Sequence, residues 1–202
     1  QGGAGTGGAV WGSALALAEA VEASGKLAGL RLRPGLRALE LGAGSGLLAM
    51  ALALRGVTTL ATDADEAALQ GLAANVRACE RSGKLPGSVS TQRLRWGSRA
   101  DEERAVEQGA WDLIVGSDLL YPGICQEGDG LGQPAHVLLL GTLRRLAGGG
   151  TRVVLALQNR DGEVERFLEL LESEAWAQRT WVPPRYPSVT VLELRPSEAD
   201  WC

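Results

Sequence analysis

Seven consecutive residues, Glu40-Leu41-Gly42-Ala43-Gly44-Ser45-Gly46, carry the clearest chemistry in the chain. The glycines stand between a short apolar run, Leu36 to Leu39, and the breaker-free run Leu47 to Leu54. The first run follows Pro34-Gly35 and reads as a buried strand; the second reads as a helix. A strand that enters a helix through glycines makes a tight turn whose backbone N–H groups and helix start can face a ligand. Without Cβ atoms the backbone can approach that ligand closely and adopt positive φ where the turn needs it. The spacing is Gly-x-Gly-x-Gly, and Leu47 occupies the place where a nicotinamide fingerprint would have its third glycine.

The acid at the strand end narrows the ligand. Glu40 would repel a pyrophosphate, whereas it suits a cationic ligand such as the sulfonium and amino group of S-adenosylmethionine. Further along, the β-branched run Val57 to Thr62 reads as a second strand that ends at Asp63. A carboxylate there can accept both hydroxyl hydrogens of a ribose diol. Trp96-Gly97 follows a third strand, Ser88 to Leu94, where an aromatic ring can pack on an adenine. The near-continuous apolar run Trp111 to Ser117 reads as a buried parallel strand, and it delivers Asp118-Leu119-Leu120-Tyr121 to the carboxyl edge of the sheet.

Positioning these residues requires alternating strands and helices. Val10, Ala14, Leu17 and Val21 make a helical face that Ser24-Gly25 stops, and Trp11 at its start suits the core or a cofactor lid equally. Asp65 is placed to cap a helix carrying Leu69, Leu72, Ala73 and Val76 on one stripe. The charged stretch Ala100 to Gly109 reads as a solvated helix or loop. Residues 122–134 form a loop of the length that often carries function. A helix over 135–146, a fifth strand over 151–157 followed by Gln158-Asn159-Arg160, and a stripe of Val164, Phe167, Leu168 and Leu171 come next. Two strands, 175–182 and 189–194, close the pattern with no helix between them. The whole reads as an α/β doubly wound sheet ending in a strand pair.

Composition bounds the rest. The 202 residues, 45% of them hydrophobic, suffice for one well-cored domain and fall short of two large ones. Residues 1–9 are glycine-rich and are expected to be mobile, leaving 10–202 as the single domain. A net charge of −4 argues against nucleic acid as the main partner. Cys79, Cys125 and Cys202 form no Cys-x-x-Cys pair and read as reduced thiols, so the cytoplasm is the expected location. The single histidine, His136, removes most zinc sites and an ordinary Ser-His-Asp triad, and no metal site is expected. No run approaches a membrane span, and a monomer is expected. The start, Gln1-Gly2-Gly3, lacks an initiator Met, so the chain is expected to be a piece of a longer protein, and a nuclear or organellar address stays open.

Taken in order, these residues resemble the seven-strand S-adenosylmethionine-dependent methyltransferases, and within them the family-16, methyltransferase-like group that includes many protein-lysine methyltransferases. The residues that carry the resemblance are Val10-Trp11, the turn from Glu40 to Gly46, Asp63, Trp96-Gly97, Asp118-x-x-Tyr121, and Arg160 with Phe167. The resemblance implies a Rossmann-like sheet of order 3-2-1-4-5-7-6, last strand antiparallel, with helices on both faces. It implies Trp11 closing over the cofactor, Gly42, Ala43, Gly44 and Gly46 cradling its methionine end with Glu40, Asp63 on the ribose, Trp96 against the adenine, and Ser117 lining the site. Asp118 and Tyr121 would stand beside the methyl group and the incoming side chain of a protein substrate. Two departures are visible: the loop after Tyr121 is long, and the strands that usually precede the Val-Trp helix are absent. Two other readings stay open, a methyltransferase acting on a small molecule or another side chain such as histidine, and a noncatalytic module that keeps the fold.

Overall fold

The computed structural model describes residues 11–120, 132–160, 162–174 and 176–196. Helix α1, Gly12–Ser24, ends where Gly25 takes φ 59° and donates its N–H to Val21 O. A small antiparallel hairpin follows, β1 (Lys26–Leu27) with β2 (Leu30–Arg31), turning through Ala28 and Gly29 at positive φ. The main sheet then begins: β3 (Arg37–Leu41), α2 (Leu47–Ala53), β4 (Thr58–Asp63), α3 (Glu66–Arg81), β5 (Ser88–Arg93), α4 (Arg99–Val106) and β6 (Leu113–Ser117). It continues through α5 (Ala135–Leu146), β7 (Arg152–Gln158), α6 (Glu163–Ser173), β8 (Ala177–Trp181) and β9 (Val189–Arg195).

The seven-stranded sheet runs β5-β4-β3-β6-β7-β9-β8, which is the expected order 3-2-1-4-5-7-6. Six strands run in one direction, and β9 lies antiparallel between β7 and β8. Side chains alternate between the two faces, as a strand's period of two requires. Ala38, Leu113, Val115, Val154 and Ala156 pack toward α1 and α2. Leu39, Leu41, Ile114, Val153, Leu155 and Leu157 pack toward α4, α5 and α6, with Phe167 fully buried among them. Helix α3 covers the β4–β5 side through Leu72 and Val76. None of the helices in the described residues is long and apolar enough to cross a membrane.

Asp65 caps α3 as its type and place suggest, its Oδ1 accepting the Ala67 N–H at 3.0 Å. Two elements differ from the sequence reading. The short hairpin β1–β2 was not anticipated. The charged stretch after Trp96 is a helix, and it is not wholly solvated: Asp101 and Glu102 are buried. Asp101 accepts from the Arg95 backbone and side chain and from Arg104. Burial pushes its carboxyl up, but these partners outweigh that and hold it below the usual range. Glu102 accepts from Thr142 Oγ1 at 2.6 Å and from the Gly97 N–H at 3.0 Å, and it pairs with Arg145 at 2.9 Å. Together these bonds tie α4 to α5 and to the turn after Trp96.

Two glycines allow opposite tests of this architecture. Gly46 caps α2 at φ 81°, and a Cβ there would run into Leu72 Cδ1. Gly46→Ala should lower unfolding free energy by about 1–2 kcal/mol from the left-handed backbone alone. Gly71 sits on the exposed face of α3 with nothing within 4 Å of its Cβ position. Gly71→Ala should raise stability by about 0.8–1 kcal/mol. Urea denaturation of the two variants beside the wild type reads both signs.

Candidate active site

The glycine turn joins β3 to α2 at the carboxyl edge of the sheet. Gly42, Gly44 and Gly46 take φ of 58°, 50° and 81°, a region that a Cβ makes costly. The turn is pinned from β4: Ala43 N–H donates to Thr62 O at 2.8 Å, and Gly44 N–H donates to Asp63 Oδ2 at 2.9 Å. The other Asp63 oxygen accepts the Asp65 N–H at 3.0 Å. Each carboxylate oxygen has a second lone pair, so Asp63 retains acceptor capacity beyond the backbone it holds. Asn75 Nδ2 donates to Ser45 O at 3.0 Å, fixing the far side of the turn from α3.

Glu40 sits one residue before the end of β3 and is 1% exposed. Its Oε2 accepts the Ala49 N–H at 2.9 Å, and its backbone O accepts from Thr62 Oγ1 at 2.7 Å. Among the described residues no lysine or arginine forms an ion pair with it. Burial pushes its carboxyl up to about 8; the Ala49 hydrogen bond works against this, and the nearby Asp63 charge adds to it. An acid held in this way gains from any cation brought to it. This donor set, an acid with no ion-pair partner among the described residues beside a left-handed glycine turn and a second carboxylate, fits a ligand that carries positive charge and hydroxyls.

Strand β6 lies beside β3, with Glu40 opposite Val115 and Leu41 opposite Gly116. Past Ser117, which is half-buried at the strand end, Asp118 takes φ 55°. Apart from Ala28, it is the only non-glycine among the described residues at positive φ. Its N–H still donates to Ala156 O at 2.8 Å, so the reversal happens at the last rung of the ladder. The reversal sends Leu119 back under the turn. A Cβ on Gly42 would stand 2.7 Å from Leu119 Cδ2, and one on Gly116 would stand 2.5 Å from Leu119 Cδ1.

Asp118 is 7% exposed, and both of its oxygens accept from Arg160: Nη1 to Oδ1 and Nη2 to Oδ2, each at 2.9 Å. Arg160 Nη2 also donates to Gln158 Oε1 at 2.7 Å, and its guanidinium carbon lies 5.2 Å from the centre of the Trp11 ring. Trp11, at the start of α1, is 40% exposed, which removes the core alternative for it. Trp96 is the reverse case: it is 6% exposed and packed within the cluster on the α4–α6 face. The Gly97 N–H beside it is shared between Glu102 and Thr142. His136 pairs with Glu163 across α5 and α6 at 3.2 Å. Tyr121, Cys125 and most of the long loop lie outside the described residues.

The structure thus brings Glu40, the glycine turn, Asp63, Ser117, Asp118 and Trp11 to one edge of the sheet. It adds Arg160 and Gln158, to which sequence reasoning gave no role in the site. The signals are the part Arg160 plays in the family resemblance and the position of both residues at or just past the end of the fifth strand.

The Glu40 arrangement has a pH signature. The unfolded carboxyl titrates near 4.5 and the folded one near 8, so between these values the folded chain holds a proton that the unfolded chain has lost. Stability therefore falls as pH rises across this window, by up to about 1.4 kcal/mol per pH unit, and levels off above it. Glu40→Gln should remove that slope and leave the ligand-free protein more stable than wild type at pH 8. Denaturant midpoints measured from pH 5 to 9 on both proteins check this.

The lysine methyltransferase family model matches residues 1–174. The chain is 37% identical over 134 residues to protein N-lysine methyltransferase METTL21A of Danio rerio, covering 66% of this chain and 55% of the relative. It is 32% identical over 151 residues to EEF1A lysine methyltransferase 3 of Mus musculus, covering 75% of this chain and 55% of the relative. The chain thus spans little more than half the length of these curated relatives. In fold it is similar to a SAM-dependent methyltransferase from Aquifex aeolicus, with a TM-score of 0.61 at 17% identity over 93% of this chain and 94% of that one. A match that runs through the glycine turn, Asp63 and Asp118 and takes in most of the chain settles the kinship: the chain belongs to the lysine methyltransferase family.

Proposed function

We propose that this chain binds S-adenosylmethionine at the glycine turn and transfers its methyl group to a lysine amine of a protein. The observation that carries the reading is the buried Glu40, which has no cation among the described residues and stands beside the left-handed turn. S-adenosylmethionine, when bound, supplies an electrophilic methyl group on a sulfonium. Glu40 and the backbone of Gly42, Ala43, Gly44 and Gly46 would hold its methionine end, and the free lone pairs of Asp63 would take the ribose hydroxyls. Trp11 would cover the cofactor, Trp96 would border the adenine, and Ser117 would line the cleft. The relatives' names, lysine methyltransferases of proteins, support a protein acceptor.

The chemistry asks little of acid–base groups and much of position. The acceptor must attack as a neutral amine, although a free lysine titrates near 10.4. Asp118 stands across the strand-order switch between β3 and β6, the place where ligands bind in open α/β sheets. Its remaining lone pairs offer the amine a hydrogen-bond acceptor, and removing water from the cleft favours the uncharged form.

Calorimetry separates this from an oxidoreductase: S-adenosylmethionine should bind and NAD should not. Because a cation beside Glu40 favours its ionised form, binding at pH 7 should release a proton, seen as a heat that varies with the buffer's ionisation enthalpy. Glu40→Gln should bind more weakly and release none. Asp63→Ala should cost about 1–3 kcal/mol of cofactor affinity. Tritiated methyl transfer into a lysate, resolved by size, tests the acceptor class, and EEF1A serves as a first purified substrate because one relative is named for it. Label confined to small molecules would overturn the protein acceptor.

A further inference from the structure

We propose that Arg160 is a positioning residue for methyl transfer: its fork fixes the Asp118 carboxylate and offsets its charge, so that the incoming amine meets a hydrogen-bond acceptor that does not hold it as an ammonium. The inference rests on the reading above, in which Asp118 faces the acceptor amine.

A bare carboxylate beside a lysine works against its chemistry. It would draw the amine in, but it would also stabilise the charged form, which has no lone pair for attack. The structure presents a neutralised carboxylate instead. Each Asp118 oxygen accepts one Arg160 N–H at 2.9 Å in the planar, two-pronged geometry that only a guanidinium supplies. One lone pair per oxygen is left for the amine. The fork is itself held, since Nη2 also donates to Gln158 Oε1 and the guanidinium lies over the Trp11 ring. Arg160 therefore joins the end of β6, the end of β7 and the start of α1, and it places the proposed lid and the proposed acceptor contact on one cation.

The other ionisable groups around this point have partners elsewhere. On α5 and α6, His136 meets Glu163, which also accepts from Arg166, and Glu165 accepts from Asn159. On α1, Glu19 meets Arg185 and Tyr186 from the β8–β9 connection. On β3 and β4, Glu40 and Asp63 hold backbone N–H groups of Ala49, Gly44 and Asp65. Among the described residues, Arg160 is the one cation that meets Asp118.

The test is the pH dependence of kcat on a protein labelled by the wild type in lysate, purified, with S-adenosylmethionine saturating. kcat reports ionisations in the enzyme–substrate complex. With Arg160→Gln the rising limb should move to higher pH by about one unit or more, costing roughly tenfold or more in rate at pH 7.5 and less at pH 9.5. Asp118→Asn/Arg160→Gln, which removes both charges, should bring the limb back toward its wild-type position even if the rate is lower throughout. Arg160→Lys should restore the limb in part, because it keeps the charge and loses the fork. A limb unmoved in Arg160→Gln, with only the melting temperature lowered, would make Arg160 a structural partner of a buried acid and overturn the inference. The same holds if the double variant keeps the displaced limb. A wild type that methylates no protein is a different failure: it removes the reading beneath, and this inference falls with it.

Discussion

Four paired positions between β3 and β6, from Ala38–Leu113 to Leu41–Gly116, set the distance between the two loops that make the site. Everything proposed for the cleft depends on that register. β3 ends in the glycine turn and β6 ends in Asp118, and parallel pairing makes both ends arrive at the same edge. A slip of one residue would turn Glu40 away from α2 and Ala49, since side chains alternate between faces. Gly42 and Gly116 secure the register sterically, because each leaves the room that Leu119 fills. Leu119 can fill it only because Asp118 reverses the chain at φ 55°. The backbone at Asp118, the glycines and the core beneath them are one arrangement.

The second constraint is electrostatic. Two acids face this edge from the core, and they are treated in opposite ways. Asp118 is given a full counter-charge through a two-pronged pair. Glu40 is given a single backbone N–H and is otherwise shut away from water. The first arrangement holds charge in place, and the second disfavours it. A fold that keeps both within neighbouring strands spends stability on the second, as sites built for function commonly do.

Much of this was legible in the sequence. The glycine turn, Asp63 at a strand end and the Asp65 cap follow from local residue type and spacing, the strand order follows from the family resemblance, and the structure has them all. What was not legible depends on partners far away in the chain. Asp101 and Glu102 sit in a charged run that reads as solvated, and they are buried because Arg95, Thr142 and Arg145 come to meet them. Arg160 belongs to the family resemblance, but its partner is not legible until β7 lies beside β6 and turns it onto Asp118, 42 residues away. The β1–β2 hairpin is too short to show a period, and its turn uses Ala28 where a glycine or asparagine would have signalled it. Trp96 and Trp11 are the same residue type, and only tertiary packing makes one of them buried and the other exposed.

The place of β9 bears on how the chain reaches this state. β9 is the last strand in sequence, yet it lies inside the sheet, bonded to β7 on one side and β8 on the other. Until it docks, β7 has an open edge just where Gln158 and Arg160 leave the sheet, and β8 has no partner in the sheet. On the ribosome, the strands from β3 to β7 can emerge and pair in order of synthesis, but the nascent sheet stays unsealed until residues 189–195 have cleared the exit tunnel. An unpaired edge of this kind invites intermolecular strand addition. Between the making of β7 and the making of β9, the chain therefore carries an open strand edge at which pairing with another chain can start.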